Sequence, residues 1–232
     1  MRQFPVMLFA AGFGTRMGAL TRDRPKPLLT VGGQTLLDHA LRLVDRAGCA
    51  PRVINAHYLA EQIASHVEGR GVAVSHEVGE ILETGGGLRA AMPLLGGSPV
   101  MTLNTDAVWT GRNALEELAE GWNSDRMDAL LLLAPAGRVS GHGGTGDFLL
   151  DAAGRIARAN GRPGLVYLGA QIIRTDLLPT FPQRAFSLNL LWDQIVAGGR
   201  AFGVLHLGGW CDVGRPEGIA LAEAMLAQSG DD

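Results

Sequence analysis

Asp106 ends the run "VMTLNTD" and Asp212 ends "GGWCD". Each carboxylate stands just past an apolar stretch, at the kind of strand end where open α/β sheets bind ligands. If the fold brings them together, two such carboxylates can hold Mg²⁺, a hard cation that takes oxygen ligands and keeps substrate phosphates as partners. Positive charge comes from "LFAAGFGTRMGALTRDRPKPLL", residues 8–29, where Ala10, Ala11, Gly12, Gly14, Thr15 and Arg16 lead through a glycine-rich turn towards Lys26. Inward-facing amides with nearby cations suit a polyphosphate. A third constellation is "ILETGGGLRAA", residues 81–91, whose glycines would let backbone approach a flat ligand such as a base. Each has a plainer reading: the glycine loop as a tight turn, Asp106 as a cap, the triple glycine as a flexible helix start.

Two common phosphate loops are disfavoured. A dinucleotide fingerprint needs a third glycine where Met17 stands, and Pro25 and Pro27 forbid a continuous helix behind the loop. A P-loop needs Lys-Ser or Lys-Thr, and Met17 again stands in the way.

The elements that must position these residues alternate. Residues 4–10 read as a strand buried on both faces. "TLLDHALRLVDRAG" sets Leu37, Leu41, Val44 and Ala47 on one helical stripe that Gly48 stops. "RVINA", "YLAEQIASHV" and "VAVSHE" continue as strand, helix, strand; a helix over about 87–95, the strand "VMTLN", a helix near 114–121 and the apolar "MDALLLLA" follow. The pattern predicts an α/β fold with a mostly parallel central sheet and helices on both faces. From about residue 137 to 165 the glycine-rich texture reads as a loop with one or two short antiparallel strands, a small insert within a single domain spanning 1–232. "LVYLGAQII", "SLNLLWDQIVAGG" and "AFGVLHL" read as strand, helix and strand, "GGWCDVG" as a turn, and Pro216 as the opening of a last helix.

A chain of 232 residues, 47% apolar, supports a substantial core, and a net charge of −3 gives no broad attraction to nucleic acid or an acidic membrane. Cys49 and Cys211 have neither disulfide-framework nor zinc spacing, which fits reduced thiols in a cytoplasmic protein. Arg2 ahead of "FPVMLFAAGF" imitates a secretory signal, but the run is short, carries Pro5 and leads into glycines and basic residues.

In this order the motifs "LFAAGFGTRM", "RPKPLL", "ETGGGL", "LNTD" and "CDVG" resemble the sugar-1-phosphate nucleotidyltransferase family along nearly the whole chain. "NTDAVW", "GTGDF" and "GWCDVGRPEGIALAEA" look most like its N-acetylmuramate 1-phosphate uridylyltransferase branch. The resemblance implies a Rossmann-like nucleotidyltransferase fold and attack of a sugar-phosphate oxygen on the α-phosphorus of UTP. It implies that Ala10 to Arg16 hold the nucleotide, that Arg16 and Lys26 neutralise phosphate charge, and that Glu83, Gly85 and Gly86 form the uracil and ribose side. Asp106 and Asp212 would bind Mg²⁺, with Arg16, Lys26 and Asp106 catalytic. Two departures stand out: Thr105 replaces the glycine or aspartate of many relatives, and "NGRPG" puts Arg162 near the place of a sugar-phosphate lysine. Asp147 and Asn160 face the sugar or act as turn residues. A monomer suffices for all of this. Other readings are a guanylyl- or cytidylyltransferase acting on mannose 1-phosphate or phosphocholine, and an inactive nucleotide sensor.

Overall fold

Val6, Met7 and Leu8 follow one another in the chain and all are buried, which a strand achieves only with cover on both faces. The structure is a computed structural model that describes residues 3–230; Arg2 lies outside the described residues. The chain runs β1 (Val6–Phe9), β2 (Thr30–Val31), β3 (Gln34–Thr35), α1 (Leu36–Ala47), β4 (Arg52–Ala56), α2 (Ala60–Val67) and β5 (Val72–His76). Next come α3 (Glu83–Leu95), β6 (Val100–Asn104), β7 (Ala107–Trp109), α4 (Ala114–Gly121), β8 (Ala129–Pro135) and β9 (Val139–Ser140). It closes with β10 (Phe148–Leu150), β11 (Ile156–Arg158), β12 (Leu165–Ile173), α5 (Asn189–Ala197), β13 (Ala201–Leu205), β14 (Trp210–Asp212) and α6 (Glu217–Ser229).

The main sheet is ordered β11-β10-β12-β6-β1-β4-β5, with β8 beside β12 and β13 beside β8. Side chains alternate across it. Val6 and Leu8 join Leu37, Leu41 and Val44 of α1 on one face, with Ile63 of α2 and Leu118 of α4. Met7 and Val53 turn to the opposite face, where Leu88 and Leu95 of α3 and Leu191 of α5 cover them. The expected stripe on α1 therefore buries as read, and Gly48, left-handed at φ 64°, ends the helix.

The sheet is parallel from β6 through β1 and β4 to β5, and again between β8 and β13. β12 runs antiparallel to both β6 and β8, so the sheet is mixed. The insert, expected to hold one or two short antiparallel strands, contains β10 and β11, which pair antiparallel with each other, and β10 pairs antiparallel with β12. "GGWCDVG" is not merely a turn: β14 pairs with β7 and β9 in a second, three-stranded sheet. No local pattern announces a strand so short, and its pairing with β7 lies far off in the chain. Under this sheet α6 supplies Ala222 to a third core, with Val108, Cys211 and Met17.

Candidate active site

Leaving β1, the chain moves outward through β4 and β5 and then returns to pair β6 with the other side of β1. Such a reversal opens a crevice at the carboxyl ends of the strands, here between β1 and β6. A cavity of about 320 Å³ lies there, lined by Ala10 to Gly12 after β1, by Asn104 at the end of β6 with Thr105 and Asp106 beyond it, and by Gly14 to Arg16 and Lys26.

Met17 explains why the loop lacks a third glycine. Its side chain is buried in the core beneath α6 and pins the 3₁₀ turn Thr15–Thr21. Gly14 is left-handed at φ 64°, and a Cβ there would stand 2.9 Å from Cβ of Lys26. Its size thus admits the lysine as well as the turn. A Cβ on Gly12 would meet nothing within 4 Å, and Gly12 lines the cavity. Pro25 holds extended backbone ahead of the short turn Lys26–Leu28, and Lys26 emerges buried with its Nζ 2.8 Å from Oδ2 of Asp106.

Pairing of β14 with β7 brings Asp212 level with Ala107, and the carbonyl of Asp106 accepts the N–H of Val213 at 2.9 Å. The two acids predicted from distant motifs are therefore neighbours. Burial raises the Asp212 carboxyl above its ordinary pKa, and the charge of Asp106 raises it further; Lys26, Arg16 and His142 act in the opposite sense. Gly214 preserves this corner, because a Cβ there would lie 2.7 Å from Oδ2 of Asp212 and 3.0 Å from a guanidinium nitrogen of Arg16. The donor set fits a hard divalent cation: two mutually repelling carboxylates and room for substrate oxygens. No group of three or more His, Cys, Asp or Glu gathers to hold a metal among the described residues. A cation here would complete its shell from substrate and water.

Residues 6–185 match the family model described as a MobA-like NTP transferase domain. The chain belongs to this family. It is 39% identical to an N-acetylmuramate alpha-1-phosphate uridylyltransferase of Caulobacter vibrioides, across 99% of this chain and 100% of that one. A Neisseria meningitidis protein of the same name is 31% identical, across 94% and 96%. The crystal structure of HddC from Yersinia pseudotuberculosis complexed with GMP-PN superposes with a TM-score of 0.75 over 96% of this chain and 99% of that one, at 20% identity, which supports the fold. The relatives establish the class of enzyme as a sugar-phosphate nucleotidyltransferase.

In this NTP transferase the triple glycine works differently from the expectation. α3 begins at Glu83, left-handed at φ 57°, so all three glycines lie inside the helix and not ahead of it. The amides of Gly85 and Gly86 both donate to the carbonyl of Phe186, at 2.8 and 3.0 Å, and are not free for a ligand. A Cβ on Gly85 would collide with the Phe186 ring, and one on Gly86 with the carbonyl of Arg184. Glu83 and Thr84, not Gly85 and Gly86, line the cavity. The glycines serve close packing of backbone and side chain.

The insert residues also stand apart from the cavity. Asp147 Oδ2 accepts the N–H of Tyr167 at 2.9 Å, Asn160 is a turn residue at φ 51°, and Arg162 Nε donates to the carbonyl of Ala159. None of the three lines that cavity or its neighbour. That neighbour, about 210 Å³, shares Phe9, Thr84 and Asn104 with the first and adds Tyr167, Asn189 and Trp192. Its floor is a buried relay in which Gln171 donates to Thr102 at 3.1 Å and accepts from Trp192 Nε1 at 2.8 Å. In the sequence Tyr167, Gln171 and Trp192 look like core positions of a strand and a helix, and no local signal marks them as lining a cavity.

Proposed function

We propose that this nucleotidyltransferase joins UTP and N-acetylmuramate 1-phosphate, with Mg²⁺, to give UDP-N-acetylmuramate and pyrophosphate for cell-wall recycling. The observation that carries the reaction class is the corner where Lys26, Asp106, Asp212 and Arg16 meet beside the loop after β1. The names of both full-length relatives point to the substrates.

In the reaction the sugar-phosphate oxygen forms a bond to the α-phosphorus while the bond to the bridging oxygen of the leaving pyrophosphate breaks. Two anions must be brought together in line, so the protein's task is neutralisation and alignment, with no protein nucleophile. The Ala10–Arg16 loop holds the phosphates and Arg16 offsets charge building on pyrophosphate. Lys26, anchored by Asp106, faces the α-phosphate and the incoming phosphate. Glu83 and Thr84 border the base and ribose, and Asp106 with Asp212 would hold Mg²⁺. When bound, the cation would neutralise phosphate oxygens and stiffen their alignment. The neighbouring cavity takes the sugar, whose ring suits the edge-to-face pair of Tyr167 and Trp192, 4.9 Å between centroids. Asp147 then supports the sugar side from behind, through the backbone of Tyr167.

The test is pyrophosphate release with UTP, GTP, CTP and dTTP against a panel of sugar 1-phosphates, with and without Mg²⁺. UTP with N-acetylmuramate 1-phosphate should give the highest kcat/KM, and only with the cation. Preference for GTP with mannose 1-phosphate would displace the substrate assignment, and nucleotide binding without turnover would replace the enzyme with a sensor.

A further inference from the structure

Three hydrogen bonds, each 2.7 Å, tie one wall of the phosphate cavity to the other. The N–H of Ala10, first residue after β1, donates to Oδ1 of Asn55 near the end of β4. Nδ2 of Asn55 donates to Oε1 of Glu77, and Oε2 of Glu77 accepts the N–H of Leu82, immediately before Glu83. Asn55 is 3% exposed and Glu77 2%. Among the described residues Glu77 thus holds a buried carboxylate on two amide donors, a costly arrangement that an apolar pair could replace if filling space were the only need. The last glycine of the triple run belongs to it: a Cβ on Gly87 would lie 2.6 Å from Oε1 of Glu77 and 2.9 Å from Nδ2 of Asn55. α3 is thereby pressed directly onto the pair.

The ends of the bridge are the informative part. One holds the start of the cation-bearing loop, the other the residue ahead of the Glu83–Thr84 edge, and Asn55 and Glu77 line the cavity between them. We infer that Asn55 and Glu77 are positioning residues that set the separation of the loop after β1 from the start of α3, and so the fit of the nucleotide. The inference rests on the proposed function for the identity of that ligand.

Donor and acceptor order makes the idea testable by exchange. In Glu77→Gln alone, the carboxamide must turn an N–H towards one of two donors. In Asn55→Asp alone, two carboxylates face each other. In the double variant the carboxylate at position 55 accepts from Ala10 and from the carboxamide at position 77, whose oxygen accepts from Leu82. All three bonds return with the middle one reversed.

Wild type, both single variants and the double variant are compared by calorimetric titration with UTP, by KM and kcat for each substrate, and by thermal melting. Each single variant should weaken UTP binding and raise its KM on the order of 10- to 100-fold, the effect of leaving a buried polar group unpaired. KM for the sugar phosphate should stay within about threefold, and the double variant should regain most of the lost UTP affinity. Single variants that melt earlier yet bind UTP normally would overturn the inference, showing a purely structural pair. So would a double variant, melting like wild type, that binds no better than the worse single, because the Glu77 charge itself would then be what the ligand needs. Wild type that binds UTP without turnover removes the proposed reaction and leaves the titration comparison intact; wild type that binds no UTP removes both.

Discussion

Lys26 and Asp106 form the most informative pair at the scale of single residues. The ammonium is buried beside a carboxylate that remains about one-third exposed, at 10% and 33% side-chain exposure. The pair lines the cavity after β1, and in the proposed reaction it meets the phosphates. Lys26→Ala or Asp106→Ala should therefore lower kcat by roughly 100- to 1000-fold, about 3 to 4 kcal/mol of transition-state stabilisation. The melting temperature should shift by only a few degrees, read by calorimetry beside steady-state kinetics. Gly214→Ala is subtler: its methyl would press on Oδ2 of Asp212 and on Arg16. Weaker Mn²⁺ binding in a direct titration, with an unchanged far-ultraviolet spectrum, is the expected outcome.

Among the elements, α1 shows how local chemistry becomes stability. Thr35 caps it by accepting the N–H of Asp38 at 3.1 Å, and the Asp38 carboxylate meets Arg70 at 2.6 Å and His66 at 3.0 Å. Burial alone would raise the Asp38 pKa, but hydrogen bonds from Thr35, Arg70 and His66 outweigh it and hold the carboxyl well below the usual range. A depressed acid contributes fully above its unfolded value of about 3.9 and loses that contribution as pH falls further. Denaturant melts between pH 6 and roughly 3 should show a shallower acid-side loss for Asp38→Asn than for wild type. Thr35→Ala should cost about 1 kcal/mol at neutral pH. β12 carries the other telling feature, a register shift between Tyr167 and Gln171. Within it Gly169 is left-handed at φ 82°, and a Cβ there would lie 2.9 Å from the Asn104 side chain, which borders both cavities. Gly169→Ala should accordingly raise KM for the sugar phosphate more than for the nucleotide, read from initial rates with each substrate varied in turn.

Across the whole molecule, no helix among the described residues is long and apolar enough to cross a membrane. The two thiols sit in separate cores, Cys49 against the main sheet and Cys211 under α6. Burial pushes both up to about 11. Neither should react with a thiol reagent at pH 8 in the native protein, and both should label once denaturant unfolds it.

Alternation of apolar runs with 3.6-residue stripes is a local property, so β1, α1, β4, α2 and β5 were legible from the residues, as were the loop after β1 and Lys26, Asp106 and Asp212 as candidates for one site. What a glycine approaches is not local. The run at 85–87 reads as room for a ligand, yet Phe186, Arg184 and the Asn55–Glu77 pair occupy that room. Nor could periodicity show that β12 would reverse beside β6, that β14 would carry Asp212 to Asp106, or that Tyr167 and Trp192 would wall a second cavity in place of Asp147, Asn160 and Arg162. Backbone preference and hydrophobic period act over a few neighbouring residues, whereas a site is made by the pairing of strands far apart in the chain, which only the packed sheet decides.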